Sequence, residues 1–291
     1  MRVFMRILNA SLIIVAAVLQ LSAQTKVVIV GVDGLSTDGV RTAKTPRLHQ
    51  LMERGSWTLK ARGVMPTVSS PNWASMIMGA GPEQHGVTSN EWQPDKFEIA
   101  SVCKQPDHVF PTIFGVLRAA RPKAEIAVLH DWEGFGRLVE AKAPQRLEHV
   151  LKSTVTMKKA IEHWQAKKPD LLFVHLDDVD HAGHRYGWLT PEYYAAVEEA
   201  DGLIGNMMDA IGRDAVLIII SDHGGVNKGH GGLTMTELEV PWMIAGPGVK
   251  KGELTVPVNS LDTAPTVAKV MGIAPHACWT GRAVSAALGK K

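Results

Sequence analysis

Carboxylates and imidazoles recur in this sequence at short spacings. Asp33 closes VGVD, Asp180 and His184 sit in DVDHAGHRYG, Asp222 and His223 in SDHGG, and His230 in GHGG. Brought together away from water, such side chains are costly unless a cation compensates them. Mixed carboxylate and imidazole ligation suits zinc, with manganese or iron as other candidates. The set is too large for one tetrahedral ion and about right for two. Two adjacent hydroxyls, Ser69 and Ser70, stand before Pro71 and Asn72 in PTVSSPNWASMIMG. Pro71 suits the first turn of a helix, which runs through Trp73, Met76 and Ile77 to a Gly79 stop. A serine just before such a start lies among free N–H groups at the positive end of the dipole, a favourable place for an anion or an alkoxide. Taken alone, Ser-Pro is commonly an N-cap and Asp-His-Gly a turn. Their joint occurrence points to a two-metal centre beside a nucleophile.

The elements that must position these residues alternate between strand and helix. Lys26 to Asp33, KVVIVGVD, is apolar on both faces, as a central parallel strand should be. Leu171 to Leu176, LLFVHL, and Ala215 to Ser221, AVLIIIS, read the same way, and each is followed at once by acids and histidines. Ser56 to Gly63, Ala124 to Leu129 and Val240 to Gly246 are further strands. Helices are expected over Arg47 to Arg54, Asp107 to Ala120, Leu147 to Ala166, Pro191 to Ile211 and Ser260 to Met271. Asp131 to Arg146 has no clear pattern and reads as a loop over the site or as connecting structure. The alternation predicts a doubly wound α/β domain, its mostly parallel sheet covered by helices on both faces. In such sheets ligands sit beyond the carboxyl ends of the strands, where Asp33, Asp180 and Asp222 fall.

The chain of 291 residues is 45% hydrophobic and 21% charged, with a net charge of +2. That balance argues against a stable nucleic-acid partner, and no basic run precedes the terminal Lys290-Lys291. Arg2 and Arg6 precede an apolar run, Leu12 to Leu21, too short to span a bilayer comfortably, and small residues follow. Residues 1–23 therefore read as a signal peptide cleaved near Ala23, with an uncleaved anchor as the alternative. The remainder, residues 24–291, is read as one domain working in a secreted or periplasmic setting, without membrane attachment after cleavage. Cys103 and Cys278 could pair there, although sequence does not show that they are close enough.

In their order and spacing the pieces VGVDG, PTVSSPNWASMIMG with PEQHGVTSN, DVDHAGHRYG, SDHGG and GHGG resemble the alkaline phosphatase superfamily, most closely its type I phosphodiesterase and nucleotide pyrophosphatase branch. They span Val30 to about Gly248. The resemblance implies an alkaline phosphatase-like fold and a metal-dependent hydrolase of small-molecule phosphate esters, with two divalent ions, zinc favoured. It implies Ser69 as a nucleophile that becomes transiently phosphorylated, and Asn90 as a donor to the phosphoryl oxygens. One ion would go to Asp180, His184 and His230, the other to Asp33, Asp222, His223 and Ser69. Nucleotide-specific relatives often place an aromatic after the nucleophile, whereas this chain has Ser70; Trp73, Trp92, Tyr186 or Trp188 are the candidates to replace it. A sulfatase would need an arginine that Ser69-Ser70-Pro71-Asn72 lacks. A phosphomonoesterase on the same machinery is the alternative activity, and it usually needs an extra positive group, for which Lys44, Arg62, Arg185 and Lys228 lie near the motifs. A metal-binding protein without turnover is the reading from another class.

Overall fold

The computed structural model describes residues 24–103 and 107–289; the signal peptide expected over residues 1–23 lies outside them. Eight strands form one sheet: β1 (Lys26–Val32), β2 (Ser56–Arg62), β3 (Ile126–His130), β4 (Arg146–His149), β5 (Leu171–Leu176), β6 (Ala215–Ile220), β7 (Glu239–Ala245) and β8 (Gly252–Glu253). Their order across the sheet is β4-β3-β5-β1-β6-β7-β2-β8. All neighbours pair parallel except β6 with β7 and β7 with β2. Two antiparallel steps in succession return β2 to the direction of β1. The carboxyl ends of β3, β5, β1, β6 and β2 therefore share one edge of the sheet.

Strand alternation divides the core. Val27 and Ile29 join the buried cluster on one face, and Val28, Val30 and Val32 join that on the other, as a period of two requires. Both faces of β1 are fully covered, which explains its continuous apolar run. The same alternation in β5 turns Phe173 and His175 toward the face that carries Trp73 and Phe135. The long helix Pro191–Ile211 covers the opposite face with Tyr193, Val197, Ile204 and Met208. Its start is set by Pro in the first turn and by Thr190, whose side chain accepts from the Tyr193 N–H.

Several boundaries differ from expectation for local reasons. Leu147 to His149 belong to the edge strand β4, and the helix after it is Ser153–Lys167. Lys152, with φ of 85°, separates the two. The helix expected from Asp107 begins at Ile113, because the Thr112 hydroxyl caps the Phe114 and Gly115 N–H groups. The patternless stretch from Asp131 to Arg146 holds a short helix, Glu133–Gly136, that leads into Arg137. The helix that carries the two serines runs Ser69–Met78, two residues earlier than Pro71 suggested, with Val68 as N-cap. A proline within the first turn forfeits no hydrogen bond, so the helix can begin ahead of it. Cys103 and Cys278 form a disulfide with their Cα atoms 6.3 Å apart. Among the described residues no helix is long and apolar enough to cross a membrane.

Candidate active site

Asp33 follows β1, Asp180 and His184 lie in a helix (Asp178–Tyr186) directly after β5, and Asp222 and His223 follow β6. Because β5, β1 and β6 are adjacent and parallel, their ends meet. Asp180 and His184, four residues apart on one helix face, place Oδ2 and Nε2 3.3 Å from each other. His230 arrives from the loop beyond β6, with its Nε2 3.1 Å from that of His184 and 3.7 Å from Asp180 Oδ1. His223 Nε2 lies 3.2 Å from Asp222 Oδ2, 3.4 Å from Asp33 Oδ1 and 3.3 Å from Ser69 Oγ. Asp180, His184 and His230 thus form one group of mutually close donor atoms, and Asp33, Asp180 and His223 another, with Asp222 touching the second through His223. Asp180 also lies close to Asp33 and His223, so its carboxylate stands between them.

Glycine permits this crowding. Gly34 has φ of +69°, and a Cβ there would come within 2.8 Å of the Asp180 Cα. Its N–H donates to Asp222 Oδ1 at 3.1 Å, leaving Oδ2 for His223.

The chemistry of these donors fits a pair of cations. The Nδ1 atoms of His184, His223 and His230 each lie 2.9–3.0 Å from a backbone carbonyl, those of Lys228, Gly224 and Thr67 respectively. A carbonyl only accepts, so each Nδ1 carries the hydrogen and each Nε2 presents a lone pair inward. Two such lone pairs, on His184 and His230, face each other with nothing between them to donate. Asp33 Oδ1, Asp180 Oδ1 and Asp222 Oδ2 are buried with no hydrogen-bond partner. Acceptors converging without donors are what a divalent cation satisfies.

The protonation of these groups reports the same imbalance. Burial, then the Asp33 and Asp177 charges, push the Asp180 carboxyl up to about 9. Burial, then Asp33 and Asp180, raise Asp222 well above the usual range. Burial pushes the His223 imidazole down to about 3. Burial alone would raise Asp33 too, but the hydrogen bond from His175 and the proximity of His223 outweigh it and hold it well below the ordinary value. A stability prediction follows for metal-free protein. Unfolded carboxyls lose their protons near about pH 3.9, whereas folded Asp180 and Asp222 keep theirs well above that. The buried histidines act in the opposite sense only below about pH 6.5. From pH 7 to 9 the folded state therefore holds more protons than the unfolded one, and stability falls as pH rises. Melting in chelator at pH 7 and pH 9 should show the drop, and excess zinc should remove it. A flat profile in chelator would count against the carboxylate cluster.

Ser69 and Ser70 have separate surroundings. Ser69 Oγ points at His223. Ser70 lies inside the helix, which Val68 caps, and its Oγ accepts from Arg137 Nη2 at 3.2 Å. The Ser70 N–H donates to Asn90 Oδ1 at 2.8 Å, so the Asn90 amide group keeps its Nδ2 donors for another partner. Asn72 fixes the loop before Ser69: its Oδ1 accepts from Val64 N, and its Nδ2 donates to the carbonyls of Val64, Pro66 and Val68.

Sequence reasoning missed three contributors. His175 Nε2 and Trp73 Nε1 lie 3.2 and 3.0 Å from Asp33 Oδ2 and orient that carboxylate from the core side. His175 was hidden in an otherwise apolar strand; its polarity within LLFVHL was the only signal. Arg137, the third, sits in the patternless stretch. Of the aromatics considered for stacking on a base, Trp73, Trp92 and Trp188 are buried in packing, and Tyr186 alone is exposed. Of the cations considered, Arg62 pairs with Glu239, and Arg185 lies over the Tyr186 ring.

This is an alkaline phosphatase-like α/β fold with an acid, histidine and serine centre at the carboxyl edge of its sheet. The family model for type I phosphodiesterase / nucleotide pyrophosphatase matches residues 27–230, and the chain belongs to that family. Ectonucleotide pyrophosphatase/phosphodiesterase family member 1 of Homo sapiens is 25% identical over 194 residues, covering 62% of this chain and 21% of the human protein. The matched part thus spans about a fifth of that curated relative's length. Among solved structures, human ectonucleotide pyrophosphatase / phosphodiesterase 5 superposes with a TM-score of 0.76 at 16% identity, covering 91% of this chain and 100% of that one. An inactive form of the murine counterpart, in complex with AMP, gives 0.72 at 17% identity over 87% of this chain and 96% of its own.

Proposed function

We propose that the chain is a secreted or periplasmic phosphoric-ester hydrolase, favouring diesters, that works through a phosphorylated Ser69 at a two-metal site. It would be carried by one domain, residues 24–291, after loss of the leader. The observation that carries this reading is the Ser69 hydroxyl, 3.3 Å from His223 Nε2 at the point where buried carboxylates and imidazoles converge. Asp180, His184 and His230 would hold one divalent ion, and Asp33, Asp222, His223 and Ser69 the other, zinc being favoured by the donor set. When bound, such ions supply Lewis acidity that lowers the serine pKa and offsets charge on the phosphoryl oxygens.

The remaining work falls to the chain. His175 and Trp73 hold Asp33 in orientation, and Asn72 holds the loop that aims Ser69. Ser69 Oγ, its proton released to solvent, attacks phosphorus in line. The Oγ–P bond forms as the ester bond to the leaving group breaks, and the departing oxygen takes a proton from solvent. Asn90 Nδ2 donates to a non-bridging oxygen as charge moves onto it. Water then displaces the serine oxygen from phosphorus and restores Ser69. The murine relative's complex with AMP supports a small nucleotide as the substrate type.

Purified zinc-loaded protein should release p-nitrophenol from bis-p-nitrophenyl phosphate. Failure to turn over both this diester and p-nitrophenyl phosphate, with metal bound, would leave the metal-binding reading in its place.

A further inference from the structure

Resting on the proposed role of Ser69, we infer that Arg137 sets substrate class: its guanidinium admits a phosphoryl group carrying two negative charges, so the site accepts phosphate monoesters as well as diesters. Arg137 Nη2 donates to Ser70 Oγ and to the backbone carbonyl of Asn90. It therefore touches the neighbour of the nucleophile and the residue proposed to bind the phosphoryl oxygens. The side chain is half-buried and lies on the Trp132 ring, 5.6 Å from its centroid. No carboxylate among the described residues lies within ion-pair distance of it. The acids nearest enough to matter, Glu91 and Glu133, are both exposed. Its Nε is buried and has no partner.

A guanidinium rarely gives up water without a carboxylate or phosphate in exchange. Here its hydrogen bonds go to a hydroxyl and a carbonyl, and the acids that act on it, Glu91 and Glu133, do so from exposed positions without a direct ion pair. A monoester presents one more negative oxygen at neutral pH than a diester. Asn90, its Oδ1 held by the Ser70 N–H, has its Nδ2 donors left for a singly charged phosphoryl group. Arg137 supplies what the second charge requires; of the cations near the sequence motifs, Arg62 pairs with Glu239 and Arg185 lies over the Tyr186 ring.

The test compares wild type with Arg137→Gln, which keeps N–H donors for Ser70 and Asn90 but removes the charge, and with Arg137→Lys, which keeps the charge and loses the fork. The kcat/KM for p-nitrophenyl phosphate should fall about ten- to a hundredfold more than that for bis-p-nitrophenyl phosphate in Arg137→Gln, the range expected for one charge-assisted contact. Arg137→Lys should recover part of the ratio. Binding of inorganic phosphate to metal-loaded protein, read by calorimetry, should weaken in the same order. Equal losses on the two esters with unchanged phosphate affinity would overturn the inference and make Arg137 a prop for the Asn90 loop. If wild type hydrolyses neither ester, the hydrolase reading fails, and the phosphate titration still decides whether Arg137 binds the dianion.

Discussion

Ser69→Ala should lower diester turnover by about 10³- to 10⁶-fold, the range for removing an attacking oxygen. The variant should fold and keep its metal, because Asp33, Asp222 and His223 converge without help from the serine. The neighbouring hydroxyl provides the control. Ser70→Ala removes an acceptor for Arg137, and a hydrogen bond to a charged group is worth about 1.5–3 kcal/mol. Its effect on turnover should be far smaller than that of Ser69→Ala. Ser69→Thr should stay partly active, since the attacking group survives with one methyl added. Side-by-side measurement of metal content, melting temperature and turnover decides the matter. Near wild-type rates for Ser69→Ala would remove Ser69 from the mechanism, and a dead Ser70→Ala in the same experiment would shift the nucleophile by one residue.

Metal removal should have an effect of similar size. Chelation should abolish turnover and lower the melting temperature, since the free energy of binding metal to the folded state is lost and buried oxygens of Asp33, Asp180 and Asp222 are left without a partner. Two equivalents of zinc per chain should restore both. His184→Ala should bind close to one equivalent instead of two, because Asp180 and His230 alone make a weak pair, whereas the ligands around His223 are untouched. Elemental analysis of dialysed protein reads this directly. Fully active metal-free protein would end the two-metal reading.

The strands and their sequels were legible because buried parallel strands leave long β-branched runs, and an acid immediately after such a run stands out. Asp33, Asp222 and His223 were readable on that basis. Asp180 and His184 were found as a cluster, but their common helix face was not, since DVDHAGHRYG lacks the apolar spacing of a helix. Arg137 was out of reach: its short helix is held by contacts to β4 and β3 and has no periodicity of its own. The N-cap reading of the Ser-Pro pair is not met either, since the helix begins at Ser69 with Val68 as N-cap. Local sequence offers the helix start a hydroxyl, but a cation arriving from 67 positions away claims it.

The placement of β1 between β5 and β6 also governs when the molecule can exist. Asp33 meets His175 across 142 positions, and Gly34 meets Asp222 across 188. As the chain emerges from the ribosome, its most apolar early strand has neither neighbour, and it must wait with both edges open until most of the protein has been made. Such a strand is exposed to wrong pairing for as long as synthesis lasts. Shortening the chain from its C-terminal side to the end of β6 takes Asp222, His223 and His230 away from the centre and leaves Asp33, Ser69, Asp180 and His184 without them.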